Sequence, residues 1–259
     1  MDRKREEFYA ELQLSTEDIV LETVEMLKKR YNSTMRKVLD VISLWWMHNE
    51  IENLTDAQTH MDELMRELDG VLDPSYTEYV SEMTALFAEV YAFNAYYAQQ
   101  ELEIEEEESE DDLLLLFTVL GLSSIAWVED GITYEERMLM RNQQLKDNIR
   151  QIVLRGAARG LGTKRIVKMV QDEMKKSKYR GVQIIVDEAN HFANEGVKQI
   201  ADDKFEGYEI SEVLDAKTCG WCASMNGKRF TWDKYEVGIS APRFHPCCRG
   251  RIVPIDRKS

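Results

Sequence analysis

All four cysteines of this 259-residue chain lie within its last 41 residues, where they form two short arms. Cys219 and Cys222 belong to the first arm, His245 and Cys248 belong to the second, and 22 residues separate the two. Because each arm places two donors within one turn of backbone, the four side chains supply the three thiolates and one imidazole of a closed tetrahedral zinc site. The pattern predicts one structural zinc ion (Zn²⁺) per chain, tying the arms together.

The same pattern indicates a structural rather than a catalytic metal. A catalytic zinc ion keeps one coordination position open for water and has a base nearby, whereas four protein ligands close the shell. One ligand is ambiguous, because Cys247 could take the place of Cys248. We choose Cys248, since His-x-x-Cys repeats the two-residue spacing of the first arm.

Three other uses of the cysteines fit less well. The charged N-terminus "MDRKREEFYA" lacks the apolar core of a signal peptide, so the oxidising compartment that disulfides need is not expected. A bridge between the adjacent Cys247 and Cys248 would also be strained. A redox pair at Cys219 and Cys222 lacks the surrounding βαβ pattern, and inert buried thiols would not cluster beside a histidine.

Short β-type segments surround the first arm. "YEISEVLD" alternates in the manner of a strand, and Asn226-Gly227 is typical of a type I′ turn leading into a second β-type run. A sheet this small buries little apolar surface by itself, so we expect the zinc ion to staple it.

The two arms resemble the C-terminal signature of the Mu F-like phage head morphogenesis proteins, a family of minor head proteins. The matching residues are Thr218, Cys219, Cys222, Asn226, Gly227, Pro242, His245, Pro246, Cys248, Arg249, Ile252 and Pro254. The resemblance implies a virion protein bound near the portal, with portal, capsid or scaffold proteins as partners, and not a known enzyme.

Upstream, "YRGVQIIVDEANHFANEG" is similar to the family's segment of Arg, Ile-Ala-Arg-Thr-Glu and Asn-x-Gly. The matching positions are Arg180, Ile184, Glu188, Asn194 and Gly196. The chain departs from the family at Val186 and Asp187, which replace Arg-Thr, and at Gly250, which replaces a frequent cysteine. Periodicity leaves "GVQIIV" ambiguous between strand and helix, and the resemblance, which covers roughly residues 135–256, favours helix.

Charge divides the chain into two unlike halves. Residues 1–130 hold 31 acidic and 9 basic side chains, net −22, and residues 131–259 hold 17 and 24, net +7, which together give the −15 of the whole chain. We therefore predict an acidic helical region over 1–130 and a Mu F-like domain over 131–259, with helices in 131–203 and the zinc-binding β element in 205–256. The fold class expected is mainly α, with long N-terminal helices followed by an α+β domain that carries a small zinc-stapled sheet.

Apolar residues at steps of three or four from Val20 to Trp45 predict a long amphipathic helix, with Ser15 and Thr16 as its N-cap. "LDPSY" at 72–76 is expected to break the helical pattern that resumes after it.

The acidic run 101–112 is interpreted as a solvated connection, with contact to a basic partner as the alternative. The apolar run 113–119 is interpreted as a buried or partner-docking helix, because the apolar stretch is too short to span a bilayer.

The second half has a basic surface around residues 155–178, which suggests weak, sequence-independent DNA binding driven by phosphate contacts. A solvated face, or one that meets the acidic half, would have the same composition.

No catalytic constellation is complete, and the alternative of a toxin-like or nucleic-acid-processing enzyme depends on one polar cluster on a predicted helix. Its members are Glu188, Asn190, His191 and Asn194.

The function predicted is that of a structural minor head protein of a tailed phage. It would act in head morphogenesis near the portal, with DNA packaging or ejection as further roles. Its expected location is the phage head, and the host cytoplasm during assembly; no membrane association is expected.

Overall fold

The computed structural model describes residues 3–103, 120–127 and 130–256. Most of the predicted acidic run and the apolar run 113–119 lie outside the described residues, and so do the predictions made for them. Long helices dominate the described chain. Their bounds are Arg3–His48 (α1), Leu54–Thr59 (α2), Met61–Glu101 (α3), Tyr134–Ala158 (α4) and Thr163–Ala201 (α5).

By compactness the chain forms two units, and α1, α3 and α5 contribute to both. The sheet unit comprises Met1–Thr23, Met83–Tyr134 and Gln183–Ser259, and the helical unit comprises Val24–Glu82 and Glu135–Val182. These units do not follow the charge boundary at residue 130. The division into an acidic helical region over 1–130 and a Mu F-like domain over 131–259 stays a prediction.

The helical unit has an apolar core built from residues three or four positions apart, which fall on one face of each helix. The main contributors are Val38, Ile42 and Trp45 of α1, Leu64, Leu68 and Leu72 of α3, Leu145, Ile149 and Val153 of α4, and Ile166, Val170 and Met174 of α5. Gly156 lets α4 and α5 approach closely, because a Cβ there would lie 2.6 Å from Ile166 Cγ1. The amphipathic pattern predicted for α1 is confirmed in this core.

Two boundaries predicted for the N-terminal helices are wrong. Thr16 does not cap a helix: α1 begins at Arg3, and the Thr16 hydroxyl donates to the Leu12 carbonyl at 2.8 Å inside it. The helical pattern is not broken at 72–76, since α3 runs through Pro74. Pro74 lies on the exposed face, where water can solvate the carbonyl that the missing N–H leaves free, while Leu72 packs in the core.

The sheet unit contains a three-stranded antiparallel sheet in the order β2-β1-β3. Its elements are Gly207–Ser211 (β1), the short helix Gly220–Met225 (α6), Arg229–Thr231 (β2), a 3₁₀ turn Trp232–Lys234 and Arg251–Ile255 (β3). In the central strand Tyr208 faces Phe230 on one side and Pro254 on the other. The mainly α chain with a small C-terminal sheet is thereby confirmed, as is the helical state of "GVQIIV".

The turn at Asn226-Gly227 is of a different type from the one predicted. Asn226 has φ −56° and ψ 130°, Gly227 has φ +76°, and Lys228 N donates to Met225 O at 3.0 Å. These are the features of a type II turn, which needs positive φ at its second central residue alone. Asn226 keeps its negative φ while its side chain accepts the backbone N–H of Glu212 at 2.9 Å, so the turn joins α6 to β2 and fastens the end of β1.

No helix among the described residues is long and apolar enough to cross a membrane.

Candidate metal centre

The first arm is built on the N-terminus of α6. Cys219 is the N-cap residue, and its Sγ accepts the backbone N–H of Cys222 at 3.4 Å. One turn of helix places the two thiols on the same side, with Cys222 buried and Cys219 partly exposed. The hydrogen bond from the Cys222 backbone is the largest of the effects that lower the pKa of Cys219 to about 7, so this sulfur is prepared to act as a thiolate ligand.

His245 of the second arm lies against both of these thiols. Its Nε2 is 3.0 Å from Cys219 Sγ and 3.0 Å from Cys222 Sγ. On the other side of the ring, Nδ1 is 2.8 Å from the Pro246 carbonyl oxygen. When Nδ1 donates its proton there, Nε2 keeps the lone pair that a metal ligand needs, an arrangement common for metal-bound histidines.

Cys248 joins the cluster from the buried side. Its Sγ lies 3.7 Å from Cys222 Sγ and 3.7 Å from a carboxylate oxygen of Glu212, the residue that follows β1. The donors form two groups with atoms mutually within 4.8 Å: Cys219, Cys222 and His245, and Glu212, Cys222 and Cys248. Cys219, Cys222 and His245 thus form one cluster, and Cys248 joins it through Cys222, which belongs to both groups. A carboxylate that the sequence patterns did not single out, that of Glu212, lies beside Cys248.

The donor set fits a divalent cation. Two thiolates held 2.3 Å from a tetrahedral ion lie roughly 3.8 Å apart, and the Cys222 and Cys248 sulfurs are 3.7 Å apart. Burial raises the pKa values of Cys222, Cys248 and Glu212, because ionised groups lose their hydration in an interior. The negative charge of Glu212 raises the pKa values of the two thiols further. A bound cation would compensate these charges. The cluster of Cys219, Cys222 and His245 could therefore hold a metal ion.

Cys247 turns away from this cluster. Its side chain is exposed, and its Sγ accepts a contact from the Gln183 side-chain amide at 3.7 Å. Its backbone N–H donates to the carboxylate of Asp187 on α5 at 2.7 Å. The second carboxylate oxygen of Asp187 lies 2.6 Å from the Arg243 guanidinium. The second arm is thus fixed to α5 on both sides of His245.

The comparison with protein families gives a match in the second half of the chain. Residues 147–253 match the family model described as Phage Mu protein F like protein. This part of the chain is Mu F-like. The resemblance noted in the sequence is confirmed, and the match includes both arms of the candidate metal centre. No curated protein and no solved structure matches the chain significantly.

Two of the Mu F-like signature residues, Arg249 and Thr218, form hydrogen bonds that fix the segments next to the candidate ligands. The Arg249 guanidinium donates to both carboxylate oxygens of Asp215, at 2.9 and 2.6 Å. That bidentate contact is the main cause of the lowered pKa of Asp215. The Thr218 hydroxyl bonds the Val213 carbonyl and lies 3.2 Å from Asp215. The segment between β1 and the first arm is therefore tied to the residue that follows Cys248.

The upstream Mu F-like residues have packing roles on α5. Asn194 is buried and accepts the Ile252 N–H of β3 at 2.8 Å, while its amide group donates to the Asn190 carbonyl at 2.9 Å. Gly196 lets α3 approach, since a Cβ there would lie 2.4 Å from the Tyr91 carbonyl oxygen. These two positions join α5 to the sheet and to α3 within the sheet unit.

Three of the four residues that the sequence suggested as an enzymatic site are buried: Glu188, His191 and Asn194. Glu188 accepts the indole N–H of Trp127 at 2.7 Å, and the His191 ring stacks on that indole with centroids 4.7 Å apart. Glu188 and His191 are each 4% exposed. The arrangement can hold Trp127 in place, and Arg243 covers the indole with its guanidinium 4.9 Å from the ring centroid.

Proposed function

We propose that this chain is a structural minor head protein of a tailed phage, acting in head morphogenesis near the portal and located in the virion. The observation that supports the proposal most is the Mu F-like match over residues 147–253, which includes the candidate metal centre. The contacts of Glu188, His191 and Asn194 are those of packing residues, so we assign the chain no catalytic role. Its partners in this proposal are the portal protein and the capsid or scaffold proteins.

The head role is tested by assembly. The chain is co-expressed with the portal and major capsid proteins of its own phage, and heads are purified by sedimentation. We expect the chain to sediment with heads that contain the portal protein and to be absent from heads assembled without the portal protein. Equal amounts of the chain in heads with and without portal would contradict the portal association, and its absence from all heads would contradict the structural role.

The metal centre is assigned to one structural zinc ion bound by Cys219, Cys222, His245 and Cys248. The donor types and the separation of the Cys222 and Cys248 sulfurs support zinc. Elemental analysis of native full-length protein should find one zinc per chain. Cys222→Ser should unfold the sheet unit, because structural zinc in small domains contributes on the order of 10 kcal/mol of apparent binding free energy. Native protein without zinc and with freely reactive thiols would refute the assignment.

The adjacent cysteines provide a matched pair for the same measurement. Cys247→Ser should retain zinc, since its thiol is exposed and turned towards Gln183. Cys248→Ser should lose most of the affinity, since its thiol is buried beside Cys222. Zinc lost from Cys247→Ser and kept in Cys248→Ser would reverse the ligand assignment.

A second activity, weak DNA binding, is supported by the turn between α4 and α5. Residues 148–171 contain six basic side chains and no acidic one. All six are exposed: Arg150, Arg155, Arg159, Lys164, Arg165 and Lys168. A concentration of like charge of this kind attracts phosphate backbones without reading sequence. We therefore place the DNA contact of the second half on this basic turn.

The basic turn is tested in the full-length chain by titration with duplex DNA of two unrelated sequences. Replacing Arg155 and Arg159 by glutamine should weaken binding equally for both sequences and reduce the slope of log affinity against log salt, since fewer counterions are released. Replacing Lys175 and Lys176, which lie near Asp172 and Glu173 on the same helix, is the matched control and should change binding less. An equal effect of the two replacements would leave the basic turn without a special role.

A further inference from the structure

A single carboxylate, that of Asp187 on α5, holds the second metal-binding arm on both sides of His245. One oxygen accepts the backbone N–H of Cys247 at 2.7 Å, and the other accepts from the Arg243 guanidinium at 2.6 Å. The Asp187 and Arg243 side chains are each 8% exposed. Contacts shielded from water to this degree are weakened little by solvent and salt.

Arg243 extends the contact to the metal-binding histidine. Its Nε donates to the His245 carbonyl oxygen at 3.2 Å, and its guanidinium lies over the Trp127 ring at 4.9 Å. Trp127 is held in turn by its hydrogen bond to Glu188 at 2.7 Å. Arg243 and Trp127 are thus each held by a further contact. Asp187, which binds the backbone after His245 and the side chain of Arg243 before it, therefore constrains the course of the backbone through His245.

The backbone of Cys247 shows what the Asp187 contact achieves. Cys247 has φ +63°, a left-handed conformation that residues with a Cβ rarely adopt, and its N–H is the group bonded to Asp187. With the backbone in this conformation, the Cys247 thiol is exposed, whereas the Cys248 thiol is 3% exposed and faces Cys222. A turn held in this way presents only one of two adjacent cysteines to the cluster.

We propose that Asp187 is a positioning residue of the metal centre, which orients the second arm so that His245 and Cys248, and not Cys247, face the metal ion. The proposal rests on the zinc binding proposed above. Asp187 acts through backbone atoms of the arm and through Arg243, and it does not itself coordinate the ion.

The test uses the full-length protein and measures zinc affinity by competition with a chromophoric chelator, together with the absorption spectrum of the Co²⁺-loaded form. Asp187→Asn should weaken zinc binding by about 10- to 100-fold, the usual range for a residue that supports a metal ligand. The control is Glu195→Gln, another buried carboxylate of α5, which accepts from the Tyr235 hydroxyl at 2.8 Å. The control should stay within about twofold of wild type. An affinity of Asp187→Asn within twofold of wild type would overturn the proposal.

Wild-type protein that binds no zinc would instead refute the proposed zinc centre, and the inference with it. The two failures are distinguishable, because the inference alone fails when wild type and Asp187→Asn bind equally well.

A second variant separates positioning from stability. Asp187→Leu combined with Arg243→Met removes both charges, and replacing a buried ion pair by apolar side chains of similar volume is often neutral for stability. The folded double variant should still bind zinc at least tenfold more weakly, because the arm has lost its orientation. Wild-type zinc affinity in this variant would overturn the proposal.

The choice between the cysteines is tested in the same background. Cys248→Ser should reduce zinc affinity less in the double variant than in the otherwise wild-type chain, because Cys247 is then free to enter the cluster. Equal losses in the two backgrounds would show that Asp187 does not select the cysteine.

Discussion

Lowering the pH from 7 to 5 should destabilise the folded chain by about 2 kcal/mol through one buried side chain, His191. Burial lowers the pKa of His191 from 6.5 to about 3, and the positive charges of Arg243 and Lys198 act in the same direction. In the unfolded chain the His191 ring binds a proton as the pH falls through about 6.5, whereas in the folded chain the ring stays neutral there. The stability that depends on the neutral ring is therefore complete above pH 6.5 and is lost progressively as the pH falls towards 3.

The magnitude follows from these two pKa values. At pH 5 the unfolded histidine is about 1.5 units below its pKa, and protonation stabilises the unfolded chain by about 1.36 kcal/mol for each unit. The folded histidine is still neutral at this pH, so the folded chain gains almost nothing. Between pH 7 and pH 5 the difference is about 2 kcal/mol. This is a substantial fraction of the 5–15 kcal/mol by which domains are usually stable.

The assay is urea unfolding of wild type and His191→Phe at pH 7 and pH 5. Phenylalanine keeps an aromatic ring against Trp127, on which His191 stacks at 4.7 Å, but it cannot bind a proton. The loss of unfolding free energy between the two pH values should be about 2 kcal/mol smaller in the variant. His48→Gln, a change at an exposed histidine, is the control and should behave as wild type. The same pH dependence in His191→Phe as in wild type would refute the reasoning.

Three further predictions concern packing and hydrogen bonding on α5. Gly196→Ala should destabilise the protein by about 1–3 kcal/mol, because its Cβ would lie 2.4 Å from the Tyr91 carbonyl oxygen. Gly181→Ala, in the same helix with nothing within 4 Å of the new Cβ, should instead stabilise it by about 0.5–1 kcal/mol; urea unfolding of both checks the two signs. Asn194→Ala should cost about 1–3 kcal/mol by leaving the buried Ile252 N–H unpaired, and hydrogen exchange at Ile252 should become faster.

The helices of this chain follow from local patterns in its sequence. Apolar residues at steps of three or four predicted α1. Gly160, with φ +62°, follows the end of α4 at Ala158, and glycine is the residue that most readily adopts this conformation. The exact boundaries of the helices could not be predicted in this way. Pro74 was expected to break a helix, but α3 continues through it. Water can replace the lost hydrogen bond because Pro74 is exposed, and the packing of Leu72 in the core favours the continuous helix.

Candidate metal ligands could likewise be proposed from the sequence, because ligand type and spacing are properties of a short segment. The two arms were identified from the cysteines and His245, and the structure brings Cys219, Cys222 and His245 together. The turn type was not predictable, since Asn226-Gly227 is compatible with several turns. In the type II turn the Asn226 side chain accepts the backbone N–H of Glu212, which lies 14 residues away in the chain.

Which groups surround the centre was decided by the tertiary structure alone. Asp187 lies 60 residues before Cys247 in sequence and 2.7 Å from it in space, and Glu212 reaches Cys248 across 36 residues. Side-chain periodicity determines which face of a helix is apolar, and motif spacing determines which donors share a turn. Neither carries information about which distant segment packs against that face, because this depends on the joint fit of all segments in the core.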